Sequence, residues 1–281
     1  MKEENKNTKT GRQERQIRFS DDLIWGIHPV MEALQADEQR VSEVILQKDK
    51  RGSTWEALLD LVKKRGVRYS FVERVRITGA ADTQIRHQGV IARVASVAVT
   101  PFDELLEKFS QAVQDGDTPR IIACDSIQDP HNLGAIIRSA HAAGVNSILL
   151  PRERSAPLGG TVAKASAGAL FLVDICRVTN LSEALKAIKA AGGWIFGAVK
   201  DEDAQSIYNT DFVVPACVVV GNEGQGVRPL VRRTCDVLIS IPMEGTVDSL
   251  NSSVAGAVIM FEMHRQLLAS RGTSGIERDS A

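Results

Sequence analysis

The side chains of this chain that could do chemistry stand in three short stretches. "QDPHNLGAIIRSA" carries Asn132 and, six residues later, Arg138. "VVVGNEGQGV" sets Glu223 among Gly221, Gly224 and Gly226. "VDSLNSSVAGAV" offers Ser249, Asn251, Ser252 and Ser253, interrupted only by Leu250. Amides, hydroxyls, one guanidinium and one carboxylate together supply hydrogen-bond donors, acceptors and charge of both signs. No serine–histidine–acid set accompanies them, and the five histidines lack metal-ligand spacing. The glycine-rich stretch has the look of a phosphate cradle, yet Glu223 would repel a phosphate. Its spacing, G-x-x-G-x-G, is not the dinucleotide pattern G-x-G-x-x-G, and it follows a late strand rather than the first. Either it is a turn with no ligand, or its ligand is not anionic at that point.

The elements that must position these residues can be read from apolar patterning. From residue 119 onward, "RIIACD", "SILL", "FLVDIC", "WIFGAV", "ACVVVG" and "VLISIP" read as strands. "PHNLGAIIRSAHAAG", "LSEALKAIKAAGG" and "SLNSSVAGAVIMFEMHRQLLAS" read as helices. This alternation predicts a parallel sheet with helices on both faces, in which ligands bind beyond the carboxyl ends of the strands. Each of the three stretches follows a strand. Asp129-Pro130 is a helix start, with Asp129 as N-cap and Asn132 in the first turn. Arg138 lies among Ile136, Ile137 and Ala140: it either snorkels to a surface carboxylate or points into a site. Ser249 or Asn251 would serve as N-cap of the last helix, but one cap needs one such residue and four polar side chains cluster there. That helix carries Val254, Val258, Phe261 and Leu268 on one side. Ala255, Gly256 and Ala257 leave it thin enough for another helix to approach.

Before residue 119 the pattern is α/β on a smaller scale. "HPVMEALQA" and "STWEALLDLVKKRG" read as helices, and "VSEVILQ", "VRYSFV" and "GVIARVASV" as strands. In the second helix Ser53 and Glu56 have capping-box spacing, Trp55, Leu58, Leu59 and Val62 share a face, and Gly66 follows as C-cap. The reading is a disordered basic tail over 1–22, a small domain over 23–98, a linker over 99–118, a larger domain over 119–270 and a disordered tail over 271–281.

Composition narrows the class. The 281 residues are 43% hydrophobic and 25% charged, as in ordinary globular proteins. No apolar run reaches the ~18 residues that span a bilayer, and the polar N-terminus is no secretory signal. Cys124, Cys176, Cys217 and Cys235 are far apart and read as reduced, structural residues of a cytoplasmic protein without a metal. The net charge of -1 is uneven: residues 1–98 carry 18 basic and 14 acidic side chains, so the rest of the chain is acidic. That surplus is compatible with a polyanionic partner or with a solvated tail.

Taken together, "NLGAIIRSA", "GNEGQG" and "SLNSSVA" resemble, in order and separation, the three motifs of the SpoU/TrmH family of S-adenosylmethionine-dependent RNA ribose 2'-O-methyltransferases. The resemblance covers about residues 119–270. Residues 23–98 resemble the family's small RNA substrate-binding domain, related to a ribosomal-protein fold, and "WGIHPVMEAL", "HQGVIARV" and "LLPRERSAPL" resemble its RlmB-like subgroup. The resemblance implies a C-terminal trefoil knot of the SPOUT type, with S-adenosylmethionine held largely by backbone at Gly221, Ile241 and Leu250. It implies that Arg138 activates the ribose hydroxyl, and that Asn132, Ser249 and Asn251 position ribose and arginine. Glu223 holds its loop or favours the positive sulfonium nearby. It also implies a homodimer and a guanosine of 23S rRNA as target, a tRNA guanosine or an inactive RNA-binding relative being the alternatives. Ser252 departs from the pattern, which has an apolar residue such as valine there.

Overall fold

A computed structural model describes residues 14–18, 20, 22–36, 41–78, 87–94, 97–201, 203–244 and 249–276. The chain divides into two compact units, Met1–Ala95 and Ser96–Ala281. The expectations of disorder at 1–13 and 277–281 lie outside the described residues.

The N-terminal unit contains strands β1 (Glu14–Arg18) and β2 (Leu23–Trp25), helix α1 (Ile27–Ala36), strand β3 (Val41–Gln47), helix α2 (Ser53–Lys64), and strands β4 (Tyr69–Val72), β5 (Arg74–Thr78) and β6 (Val90–Val94). Four strands form a mixed sheet in the order β2-β6-β3-β4, and β1 pairs in parallel with β5. The tail expectation over 1–22 therefore fails at β1, whose Ile17 is buried with Leu23, Trp25, Ile45, Val72, Val75 and Ile91. Helix α2 buries Trp55, Leu58 and Val62, as its apolar spacing predicts. Its cap differs from the expectation. Ser53 is already helical, and Gly52 stands at the N-cap, its carbonyl accepting from the Glu56 amide.

The C-terminal unit runs β7 (Val99–Thr100), α3 (Phe102–Gln114), β8 (Arg120–Asp125), α4 (Pro130–Ala142), β9 (Ser147–Pro151), α5 (Gly160–Ala165), β10 (Asp174–Val178), α6 (Leu181–Ala190), β11 (Trp194–Ala198), β12 (Gln205–Ser206), β13 (Ala216–Gly221), α7 (Pro229–Thr234), β14 (Val237–Ser240) and α8 (Ser252–Ile276). Its eight strands are all parallel, in the order β12-β14-β11-β13-β8-β9-β10-β7. Residues 99–118 are not a linker. β7 forms one edge of this sheet, and α3 inserts Leu105 and Phe109 into its core. The core strands bury both faces, which is why they read as continuous apolar runs. Ile121, Ala123, Cys217 and Val219 meet α3 and α6 on one face. Gly256 of α8 faces Val220 and Ile136 on the other. The expectation that residues 255–257 let another helix approach is met within the subunit: Gly256 packs against Ile136 of α4. Gly134 does the same between α4 and α5: a Cβ there would stand 2.4 Å from that of Ala165. Helix α8 continues to Ile276, past the expected start of a tail at 271.

Candidate functional site

Strands β8 and β13 lie side by side at the sheet's centre, with Val220 opposite Cys124 and Gly221 opposite Asp125. Strands β9 and β10 follow outward on one side, whereas β11 and β14 lie on the other. The carboxyl ends of β8 and β13 therefore open where strand order reverses, the place at which parallel sheets bind ligands. From β8 the chain enters α4. Asp129 caps that helix by accepting from the His131 amide at 2.8 Å, Pro130 occupies the first helical position, and Asn132 stands in the first turn.

Residues 222–227 form a closed loop after β13. Asn222 and Gly226 exchange backbone hydrogen bonds at 3.2 and 2.8 Å, while the Asn222 side-chain oxygen accepts from Gly224 N at 2.9 Å. The Asn222 amide donates to the carbonyl of Ser126 at 3.2 Å. Buried Asp125 accepts from the backbone N and the Nε of Arg228, at 2.8 and 2.6 Å. These two links hold Ser126 at φ 65°, a left-handed conformation that costs a non-glycine residue about 1 kcal/mol or more. Gly221 has no room for a side chain, since a Cβ would sit 2.2 Å from the Gly226 carbonyl carbon. The crowding comes from the chain's own backbone, so the glycine is required by loop closure before any ligand is considered.

The loop presents Glu223 to the other two stretches. Its Oε1 accepts from Asn132 Nδ2 at 2.8 Å and from Asn251 Nδ2, which also donates to Asn132 Oδ1 at 3.0 Å. The Oδ1 of Asn251 accepts from the Ser253 amide at 2.9 Å and from the Val254 amide at 3.4 Å, so the same side chain is the N-cap of α8. Asn251 thus caps α8 with its oxygen while its nitrogen reaches the other two stretches. One carboxylate and two amides thereby tie together residues 91 and 119 positions apart.

Beside this triad lies a cleft of about 730 Å³. Val220, Ala255 and Ile259 give it an apolar part. Gly221, Glu223, Ile241, Ser249 and Leu250 line it, as do Lys200, Asp201 and Arg232. Asp201 and Arg232 are ion-paired. Arg138 joins neither group. It is exposed on α4, about one and two-thirds turns past Asn132, and among the described residues it has no hydrogen-bond or ion-pair partner. Among the described residues no surface carboxylate receives it. Ser252 also lines the cleft, 5% exposed, with its hydroxyl unpartnered. Sequence reading missed Asn222, Asp125 and Arg228. Asn222 stood inside the quoted stretch, but its type reads as an ordinary turn residue. The cysteines are unsuited to nucleophilic chemistry. Burial, with a smaller contribution from the charge of Asp125, pushes the Cys124 thiol up to about 12, and burial raises Cys176 and Cys235 to about 11. Among the described residues no group of histidine, cysteine and carboxylate side chains could hold a metal, and no helix is long and apolar enough to cross a membrane.

The SpoU rRNA Methylase family matches residues 119–261, and a domain described as RNA 2'-O ribose methyltransferase substrate binding matches residues 23–99. The chain is 38% identical over 245 residues to the 23S rRNA (guanosine-2'-O-)-methyltransferase RlmB of Ralstonia nicotianae, covering 87% of this chain and 95% of that protein. With the RlmB of Vibrio cholerae it shares 38% over 253 residues, 90% of this chain and all of that one. The fold is that of the SpoU methyltransferase AviRb from Streptomyces viridochromogenes, solved with AdoMet, at a TM-score of 0.66 and 23% identity over 88% of this chain and 90% of that one. The chain belongs to the SpoU family of S-adenosylmethionine-dependent RNA 2'-O-ribose methyltransferases.

Proposed function

We propose that this protein methylates the 2'-hydroxyl of a guanosine in 23S rRNA, acting as a cytoplasmic homodimer. The observation that carries the reading is the meeting of Asn132, Glu223 and Asn251 beside the cleft at the β8–β13 junction. The cleft's size falls within the range of about 300–1,000 Å³ typical of small-molecule sites. Its lining fits S-adenosylmethionine: an apolar part for the base, charges of both signs for the amino-acid end, and carboxylates rather than an anion cradle near a sulfonium. Gly221, Ile241 and Leu250 would hold the cofactor, which supplies an electrophilic methyl group when bound. Its path is a trefoil knot in this reading. Support comes from the chain's course, which leaves β14 on the far side of β11 and returns to α8 against β13 and α4.

The chain's own contribution is orientation and charge. A ribose hydroxyl is a poor nucleophile until its proton leaves. Asn132 retains one amide proton beyond those used in the triad, and Ser249 adds a hydroxyl at the cleft; both can fix a ribose. The Arg138 guanidinium donates hydrogen bonds and accepts none. Its unpaired charge therefore stabilises the developing alkoxide and orients a neighbouring phosphate rather than removing the proton. The exposed apolar side chains Val254, Phe261 and Leu268 recur every seven residues along α8, and support a dimer interface there. The test is incubation with radiolabelled S-adenosylmethionine and either 23S rRNA or tRNA lacking 2'-O-methyl groups, followed by mapping. Label at one guanosine of 23S rRNA is expected. Label confined to tRNA, or none with either RNA, would overturn the reading.

A further inference from the structure

The N-terminal unit carries an unusual surface on its edge strand. Among its described residues, Tyr69 and Phe71 are the only large hydrophobic side chains exposed to solvent, at 39% and 41%. They alternate along β4 with Ser70 and Val72, so both project from the same face while Val72 enters the core. Their rings meet edge to face with centroids 5.9 Å apart. The stretch around them, residues 63–76, holds six basic side chains (Lys63, Lys64, Arg65, Arg68, Arg74 and Arg76) against one acid, Glu73. All six are exposed. The surplus is five charges, larger than that of the whole 1–98 region, which is four. The weak positive balance of the sequence is thus concentrated here. β4 is the last strand of its sheet, and the basic turn after α2 leads directly into Tyr69.

Charge alone would be unremarkable, because edge strands carry lysine and arginine to avoid pairing with other strands. Exposed aromatic rings work in the opposite direction, since they invite association. Aromatic faces beside guanidinium and ammonium groups are instead what an unpaired nucleic-acid strand requires. Bases stack on the rings and phosphates lie along the charges. A duplex cannot use the rings, because its bases are already stacked. Resting on the RNA-methyltransferase reading above, we propose that Tyr69 and Phe71 form a stacking platform for unpaired bases of the substrate RNA, with Lys63, Lys64, Arg68 and Arg74 holding its phosphates.

The test uses the full chain and fluorescence anisotropy, with a labelled single-stranded RNA dodecamer, a stem-loop and a perfect duplex, over a range of salt. The double variant Tyr69→Leu/Phe71→Leu keeps apolar bulk and removes the π faces. It should bind the single strand and the stem-loop roughly tenfold more weakly, with an unchanged salt slope. The variant Arg68→Gln/Arg74→Gln should lower the slope instead. Tyr69→Phe/Phe71→Tyr should bind like wild type, and circular dichroism should show every variant folded. Wild-type affinity in the leucine variant would overturn the platform alone, as would a change in its molecular mass by light scattering, which would make the surface a protein interface. Preference of the wild type for the duplex would also overturn it. A wild type that binds no RNA would overturn the underlying reading as well.

Discussion

The two units assemble their chemistry in opposite ways. In the N-terminal unit, the aromatic pair and the basic side chains come from fourteen consecutive residues, 63–76. In the C-terminal unit, Asn132, Glu223 and Asn251 come from three stretches spread over 119 positions, and only the order of strands brings them together. A contiguous surface needs its own strand and little else. A convergent site needs β8 beside β13, a loop locked by Asn222 and Asp125, and a helix start turned toward both. The difference teaches where single substitutions should be graded and where they should be severe.

The largest effect belongs to the C-terminal unit, at Arg138. Arg138→Ala should lower the single-turnover rate of methyl transfer by at least ~10²-fold while S-adenosylmethionine binding, measured by calorimetry, stays close to wild type. A near-normal rate would remove Arg138 from the reaction and leave orientation alone to explain catalysis. Asn251 separates fold from function within one side chain. Asn251→Ala removes the cap and the link together. It should cost about 1 kcal/mol of stability by denaturant titration, in addition to activity. Asn251→Asp retains a capping oxygen but places a carboxylate against Glu223. The cap's share of stability should recover, less the cost of the carboxylate repulsion, and activity should not; recovery of activity would make the link to Glu223 dispensable.

Removing the N-terminal unit probes the other side of the comparison. A chain of residues 96–281 should still bind S-adenosylmethionine and lose at least about tenfold in affinity for rRNA fragments, as judged by filter binding. Unchanged RNA affinity would place substrate capture within the C-terminal unit.

Much of this was legible in the sequence, for a physical reason in each case. Buried parallel strands need apolar side chains on both faces, so β8, β9, β11, β13 and β14 stood out as runs. Asp129-Pro130 and the apolar spacing of α2 marked helices through local chemistry. Short elements were not legible: β7 and β12 have two residues each, and α5 and α7 six, too few to show a period. The strand "FLVDIC" was read early, because Phe171 belongs to a buried turn and the strand starts at Asp174. Asn132, Glu223 and Asn251 each stood out in a motif, but their joining could not be read, since no local pattern states which strand lies beside which. Asp125 with Arg228 is the same case at 103 positions' separation. The aromatic pair was visible as part of "VRYSFV", yet exposure on an edge strand is a property of the sheet.

A smaller effect tests the dimer. Phe261 is 48% exposed on α8, so it does not fill its own subunit's core. Phe261→Asp should therefore leave the circular dichroism spectrum intact and halve the mass seen by light scattering, because an unpaired charge at an apolar interface costs several kcal/mol. Loss of the fold would show instead that the residue is needed within the subunit. A wild type that is monomeric at micromolar concentration and fully active would end the dimer proposal.

The smallest effect concerns Ser252, where the resemblance leads one to expect an apolar side chain. Ser252 is buried at the first turn of α8, and its hydroxyl finds no partner among the described residues. A buried hydroxyl left without a hydrogen bond costs about 1–3 kcal/mol relative to a satisfied one. A valine would fill the same place with methyl groups, and a β-branched residue at a helix start gives up little. Replacing an orphaned polar group by an apolar one of similar size is neutral to stabilising. Ser252→Val should therefore raise the stability of the C-terminal unit by up to about 1 kcal/mol, seen as a higher denaturant midpoint at unchanged m-value. The cleft borders this residue, so S-adenosylmethionine affinity should change by less than about threefold. A lower midpoint would mean that the hydroxyl has a partner in solution, and the serine would then be a stabilising substitution rather than a tolerated one.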